Sequence, residues 1–522
     1  MIASGSGTNE DNYVAQKFAR LVMGSNNIDV SSNVYPELVN PLQETLGFQA
    51  ATNSIWDLEN AKGLVVLTSN LTEDQGVVGV PIKKAVKTGS KLVVIDPRET
   101  ELTRYSDIWL RPKPGTEVIV VCGIIRVILD ESLDDHEFLA EQCNNLAEFK
   151  NDIWSYDLVK VSEITSIPQI DIQQAARIIA NSSPCSYIYG LDSLISKYPD
   201  EYVKSIINLA LVTGNVGKSG SGLFPMFDGA NQQGSRDIGC IPDLLPGYRK
   251  VSSESERKTF ESVWGAEIPN EAGIGISQLE YKLKEASIKA LYLMDADAFI
   301  SENYFDVIIK NRSKLEFLIV HSSFSNKLTD IADVVIPSKL FAEKNGTYTN
   351  LERRIQLLRT IPGRNEDLYE DWELLSKIAS NMTVNGFNFN NSSDVFGEIV
   401  SVTGVYSGIE YGQLNGNHVQ WPWLPDKAEG TSILYEESAH KFKLSPINLK
   451  DTSLVDSLSL LSKDRPYLYA PGRVLHDSSR KMVVEQFGKI NKLKIDQVIE
   501  INPEDGQDIG VVEGDRVNLI TD

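Results

Sequence analysis

Short unbroken apolar runs alternate along this chain with segments whose apolar positions recur every three or four residues. The runs lie at 63–68, 91–95, 186–189, 290–294, 316–320 and 333–336, and are rich in Val, Ile, Leu and Tyr. Apolar runs of this length, bounded by turn residues, predict strands buried on both faces. The helical segments lie at 12–23, 81–88, 118–129, 170–180 and 201–212. Alternation of the two predicts an α/β fold with two doubly wound parallel-sheet units. The pattern changes near residue 380. Residues 381–417 are rich in Asn, Gly and Ser and read as loop or linker. Beyond residue 464 the text is strand-like at 467–470, 498–501 and 515–520, with turn signals between, and predicts the start of a β-rich, barrel-like domain.

Composition narrows the function classes. The 522 residues suggest about three domains at ~150 residues each. Apolar residues make up 42% and charged residues 23%, enough to bury a large core. The net charge of -22 repels nucleic acid and anionic lipid, so neither is expected as a partner. No apolar run is long enough to span a membrane, and residues 1–10 lack a basic-then-apolar leader. The expectation is a cytoplasmic chain without direct membrane insertion. Four cysteines, Cys122, Cys143, Cys185 and Cys240, form no CxxC pair, so they predict reduced thiols and no iron–sulfur ligands. Five histidines without an i, i+4 pair exclude an HExxH metal helix.

Candidate chemistry sits where strands end, because ligands of open α/β sheets bind beyond the C-terminal ends of strands. Thr68-Ser69-Asn70, Asp96-Pro97-Arg98, Met294-Asp295-Ala296-Asp297 and His321-Ser322-Ser323 occupy such ends. An acid there accepts from ribose hydroxyls or a purine edge, and an Arg pairs with phosphate. Gly217-Lys218-Ser219 is not a P-loop, since Val212 stands at the required glycine and a helix precedes it. Gly214, Gly217, Gly220 and Gly222 read instead as a helix cap and a return turn. The segment 227–234, dense in amides and glycine, suits close approach to a flat heterocycle. In segment 342–356, Arg353 and Arg354 are candidates for phosphate or for neighbouring carboxylates.

Taken in order, these segments resemble the molybdopterin oxidoreductases, specifically formate dehydrogenase catalytic subunits and the related large peripheral-arm G subunit of complex I. Thr8-Asn-Glu-Asp-Asn-Tyr13 with Gln16-Lys-Phe-Ala-Arg20 is similar to the family's TNEENY and QKFAR. Asn27-Ile-Asp29, Asn53-Ser-Ile55, Asp96-Pro-Arg98 and Asn208-Leu-Ala-Leu-Val-Thr-Gly-Asn215 follow. Gly234-Ser-Arg-Asp-Ile-Gly-Cys-Ile-Pro242 resembles GACDMGALP, and Glu343-Lys-Asn-Gly-Thr-Tyr-Thr-Asn350 resembles EKxGTFTN. Gln420-Trp-Pro422, Gly472-Arg-Val-Leu475 and Glu500-Ile-Asn-Pro-Glu-Asp505 complete the set. The resemblance implies a molybdopterin guanine dinucleotide cofactor carrying Mo or W. By match it would be cradled by Asn70, Asp96, Arg98, Asn231, Gln233, Gly346, Thr347, Asn350, Gly472 and Arg473. It also implies domains at 1–29 with 221–375 (cofactor cradle), 30–220 (dinucleotide-binding-like), 376–463 (linker or insert) and 464–522 (start of the β-rich dinucleotide-binding domain).

The departures from the family are specific. The metal-ligating Cys or selenocysteine and the His after it fall where this chain has Tyr35 and Pro36, with one residue fewer than the pattern. The family's cysteine-rich cluster domain is not matched either. The first reading is therefore a subunit of an NADH-linked, complex I-like electron-transfer assembly with degenerate metal chemistry, peripheral on a membrane complex and partnered by iron–sulfur or flavin subunits. Two alternatives stay open: a formate dehydrogenase-type catalytic subunit, and a non-redox nucleotide-binding or scaffold subunit.

Overall fold

The computed structural model describes residues 1–33, 35–190, 198–295, 302–361, 367–424, 427, 429–436, 440–447, 449, 466–467, 469 and 498–520. Ten strands form two parallel sheets. In chain order they are β1 (Ile2–Ala3), β2 (Asp29–Val30), β3 (Gly63–Leu67), β4 (Lys91–Ile95), β5 (Ile108–Leu110), β6 (Cys185–Tyr189), β7 (Gly222–Pro225), β8 (Ala290–Met294), β9 (Phe317–Ser322) and β10 (Val334–Pro337). The first sheet has the order β10-β9-β8-β1-β2 and the second β5-β4-β3-β6-β7.

Period-two side chains sort each strand into two cores. In the second sheet Val65, Leu67, Val93 and Ile95 join one core, while Leu64, Val66, Leu92 and Val94 join another. Helix α2 (Gly76–Lys87) covers the latter through Val78, Ile82 and Ala85. Helices α3 (Glu117–Asp130), α4 (Gln169–Asn181) and α5 (Pro199–Val212) cover the former. The first sheet is divided likewise: Leu291, Leu293, Leu318 and Val320 face one core, Tyr292 and Met294 the other. The latter core includes Tyr13, Val14 and Phe18 of α1 (Asn9–Leu21), which is started by a Thr8–Asp11 capping box. A three-stranded antiparallel sheet of β11 (Gly346–Thr349), β12 (Arg354–Leu358) and β13 (His418–Gln420) follows. The doubly wound α/β expectation is thus met, and Gly214, Gly217, Gly220 and Gly222, all at positive φ, cap α5 and turn the chain into β7.

Two local expectations change. Residues 381–417 are not a plain linker: 392–402 form a helix burying Val395, Phe396 and Ile399, with Asn391 accepting from Asp394 N. Asn391, which read as loop, acts there as the N-cap. Residues 498–501 and 515–520 have no strand partner among the described residues. Instead Asn502 caps a short helix, Pro503–Ile509, and Val498 and Ile520 stay exposed. In the 467–470 run, residues 468 and 470 lie outside the described residues.

Candidate functional site

The C-terminal ends of both sheets meet along one seam, stitched by segment 226–237. Met226 N donates to Tyr189 O at 2.8 Å, carrying the segment off β6 and β7. Asn231 N donates to Gly5 O at 2.9 Å, just past β1. The Ser32 hydroxyl, just past β2, donates to Gln232 Oε1. Gly5 and Gly229 permit this closeness: a Cβ on Gly5 would fall 1.9 Å from Ser32 Oγ, and one on Gly229 2.9 Å from Gly5 O.

On the second sheet, Thr68 N donates to Ile95 O, which brings Thr68-Ser69-Asn70 beside Asp96-Pro97-Arg98. Asp96 is buried and accepts from Arg98 N at 2.8 Å. Arg98 holds its guanidinium with Nε 4.0 Å from Asp96 Oδ1, and its buried Nη2 has no hydrogen-bond partner. Glu117, the first residue of α3, faces the same end. Its Oε1 accepts from Gly115 N, its Oε2 is buried without a partner, and burial, with Asp96 adding to it, pushes the carboxyl up to about 7. Sequence reasoning passed over Glu117, although an acid opening a helix whose other positions are nearly all apolar was the available signal.

The predicted residues of the other sheet form a clasp. Asn231 Nδ2 donates to Gly7 O and Asn9 Oδ1, and its Oδ1 accepts from Thr349 N at 2.7 Å. Thr347 N and Oγ1 donate to the two oxygens of Glu10 at 2.7 and 3.1 Å. Gly346 lies so close to α1 that a Cβ would meet Glu10 Oε2 at 2.5 Å. Asn350 Oδ1 accepts from Glu352 N and Arg354 N, closing the β11–β12 turn. Gln233 Nε2 donates to Asp237 Oδ1 and Tyr248 Oη, while its buried Oε1 has no partner. Gly472 and Arg473 lie outside the described residues.

Arg353 is not a phosphate ligand. Its guanidinium donates to five backbone carbonyls, those of Ala51, Thr52, Trp421, Thr431 and Ser432. Arg354 pairs with Glu352 at 2.9 Å, as the carboxylate alternative anticipated.

The loop after β2 is pinned from below. Asp29 accepts from Val30 N, Ile276 N and Asn33 Nδ2, each at 2.9 Å, and burial pushes its carboxyl up to about 7. Two residues beyond Asn33, Tyr35 is 49% exposed, and Pro36 opens a single 3-10 turn, Pro36–Leu38. No thiol lies on this loop. Cys122 is in α3, Cys185 starts β6, Cys143 lies between helices, and Cys240 is buried near the N-terminal amine and Arg20. Burial raises all four thiol pKa values. Among the described residues no three His, Cys, Asp or Glu side chains gather as a metal site.

A buried ion cluster closes the first sheet. Lys344 Nζ lies 2.5 Å from Asp371, 3.4 Å from Asp11 and 3.9 Å from Asp295. Burial opposes the Lys344 charge, yet Asp11 and Asp371 hold its pKa well above the ordinary value. His321, predicted as a strand-end group, is buried in β9 with Nε2 3.4 Å from Asp371 Oδ1. Cavities of about 310 and 850 Å³ lie away from these strand ends and contain none of the predicted site residues.

Known proteins extend this picture. The family model described as molybdopterin oxidoreductase matches residues 1–381. The chain is 33% identical to the F420-dependent formate dehydrogenase subunit alpha of Methanocaldococcus jannaschii, over 98% of this chain and 76% of the relative. It is 32% identical, with the same coverage, to the F420-dependent formate dehydrogenase 2 subunit alpha of Methanococcus maripaludis. Among solved structures, acetylene hydratase from Pelobacter acetylenicus superimposes with a TM-score of 0.68 at 18% identity, covering 98% of this chain and 74% of that one, a likeness of fold alone.

Proposed function

The chain belongs to the molybdopterin oxidoreductase family, and on that premise we propose that it is the cofactor-binding alpha-type subunit of a formate dehydrogenase-like oxidoreductase. Membership implies a molybdopterin cofactor carrying Mo or W. One observation carries the proposal: buried polar atoms without partners concentrate along the seam. They include Ser31 Oγ, Ser69 Oγ, Arg98 Nη2, Glu117 Oε2, Gln232 Nε2, Gln233 Oε1 and Arg236 Nη1. Buried polar atoms are ordinarily satisfied, so a cluster of exceptions at strand ends fits a large polar ligand. Donors and acceptors are mixed, as a pterin dinucleotide requires.

When bound, such a cofactor supplies two-electron chemistry at its metal. Here Arg98 would contribute charge-assisted donors to a phosphate, with Asp96 and Glu117 as acceptors for an amino-bearing ring edge. Asn70 and Gln233 would add amide contacts. Asn231, Gly346, Thr347 and Asn350 would shape the wall, since their side-chain groups are largely committed to the clasp. Gly472 and Arg473 are proposed on sequence match alone. The dinucleotide form, the division into domains and electron-transfer partners of iron–sulfur or flavin type belong to this proposal. The names of the relatives favour formate dehydrogenase over the NADH-linked assembly.

A second reading, a cofactor-binding scaffold without formate turnover, is favoured by Tyr35-Pro36 at the expected ligand positions. Metal analysis together with formate-dependent viologen reduction separates the two. Mo or W with formate oxidation supports the enzyme, and bound pterin without turnover supports the scaffold. Absence of both metal and pterin from chain made in a cofactor-competent host overturns both.

A further inference from the structure

Arg236 carries a buried positive charge that makes no direct ion pair among the described residues, Asp29 and Asp237 acting on it only through space. The residue is 2% exposed. Its Nη2 donates to Asn33 Oδ1 at 2.8 Å, its Cζ lies 4.9 Å from the centre of the Phe227 ring, and its Nη1 is buried without a partner. Two carboxylates are near, and both are occupied by other donors. Asp237 accepts from Gln233, Tyr248, Tyr406 and Trp421. Asp29 accepts from Val30 N, Ile276 N and Asn33. Burial pushes both carboxyls up to about 7, which weakens them further as counter-ions.

A buried guanidinium without a direct ion pair is costly. Its planar donor edge matches an oxyanion better than any neutral group. The location is specific: Asn33 follows β2, Phe227 follows β7, and segment 227–229 beside the guanidinium is partly exposed. The motif resembling GACDMGALP has Arg236 where that pattern has Cys.

We propose that Arg236 binds a small oxyanion at the junction of the two sheets, through its free Nη1 edge over the Phe227 ring. A substrate carboxylate and a cofactor phosphate share this chemistry. The inference rests on the formate dehydrogenase reading only for the choice between those sources, because the anion site itself needs no metal.

The test uses full-length chain made in a host unable to synthesise molybdopterin, titrated calorimetrically with sodium formate or inorganic phosphate against chloride at equal ionic strength. Saturable binding is expected, weakened about tenfold by Arg236→Lys, which keeps the charge but loses the planar edge. Thermal melting verifies folding of the variant. Should it not fold, Asn33→Ala replaces it, releasing the Nη2 anchor with the same expected direction. Formate binding assigns a carboxylate and phosphate binding a phosphate, and both outcomes support the site. No saturable binding in the wild type, or equal binding in the folded variant, overturns it. Pterin-free chain that binds formate through Arg236 keeps this inference whatever metal analysis shows for the holoprotein.

Discussion

Arg353 shows how one residue can be mistaken for a ligand. A paired Arg-Arg after Asn350 suggested phosphate, but Arg353 sits at φ 70° and is fully buried. Its five donors satisfy carbonyls from three separate stretches, and its Cζ lies 5.3 Å from the centre of the Trp421 ring. Lysine cannot reproduce that fork. Arg353→Lys should therefore cost on the order of 3 kcal/mol, because several buried carbonyls lose their donors. Urea denaturation checks this, and an unchanged midpoint would refute it. Sequence alone could not separate Arg353 from Arg98 or Arg236. The difference lies in which partners the fold supplies: five carbonyls for Arg353, and none for Arg98 Nη2 or Arg236 Nη1. Asp96 and Arg98 were readable because a polar triplet ended an apolar strand. Glu117 was passed over because it stands just before the apolar helical pattern at 118–129 and follows no strand directly.

Between elements, α1 meets β11 through Asn9, whose Nδ2 donates to Thr347 and Thr349 Oγ1, and through the Glu10 carboxyl. Glu10 is fully buried, and burial raises its pKa from 4.5 to about 8, although Thr347 donates to both of its oxygens. A raised carboxyl pKa means that the folded state holds a proton the unfolded state has lost. Stability should therefore fall as pH rises from about 4.5 to about 8, and level off above that. Asp29, Asp237 and Glu117, each pushed up to about 7, act in the same direction. Glu10→Gln should flatten part of this slope, as read from urea midpoints between pH 5 and pH 9. A slope as steep as wild type would show that Glu10 does not hold the proton. At this scale the parallel strands were readable from the sequence, because burial on both faces removes polar alternation. The helix at 392–402 was hidden because its capping Asn391 and the Ser residues of its first turn resemble loop text. The strands expected at 498–501 and 515–520 lack a partner strand among the described residues, and pairing is what a propensity cannot supply.

For the molecule as a whole, the two parallel sheets turn their C-terminal ends towards a common seam, and segment 226–237 spans it. Doubly wound topology explains why buried polar atoms without partners collect there. None of the four cysteines does: Cys122 lies within α3, Cys185 starts β6, Cys143 lies between helices, and Cys240 lies near the N-terminal amine and Arg20. On the proposed reading, the cradle and the metal ligand are separable properties of this chain. Iodine oxidation of purified, full-length protein from a cofactor-competent host, followed by pterin fluorescence, measures the cradle directly. A pterin signal stoichiometric with protein, reduced in an Arg98→Ala variant that still folds, is the predicted result. A protein that emerges without pterin, while a known molybdoenzyme from the same host is loaded, would contradict it.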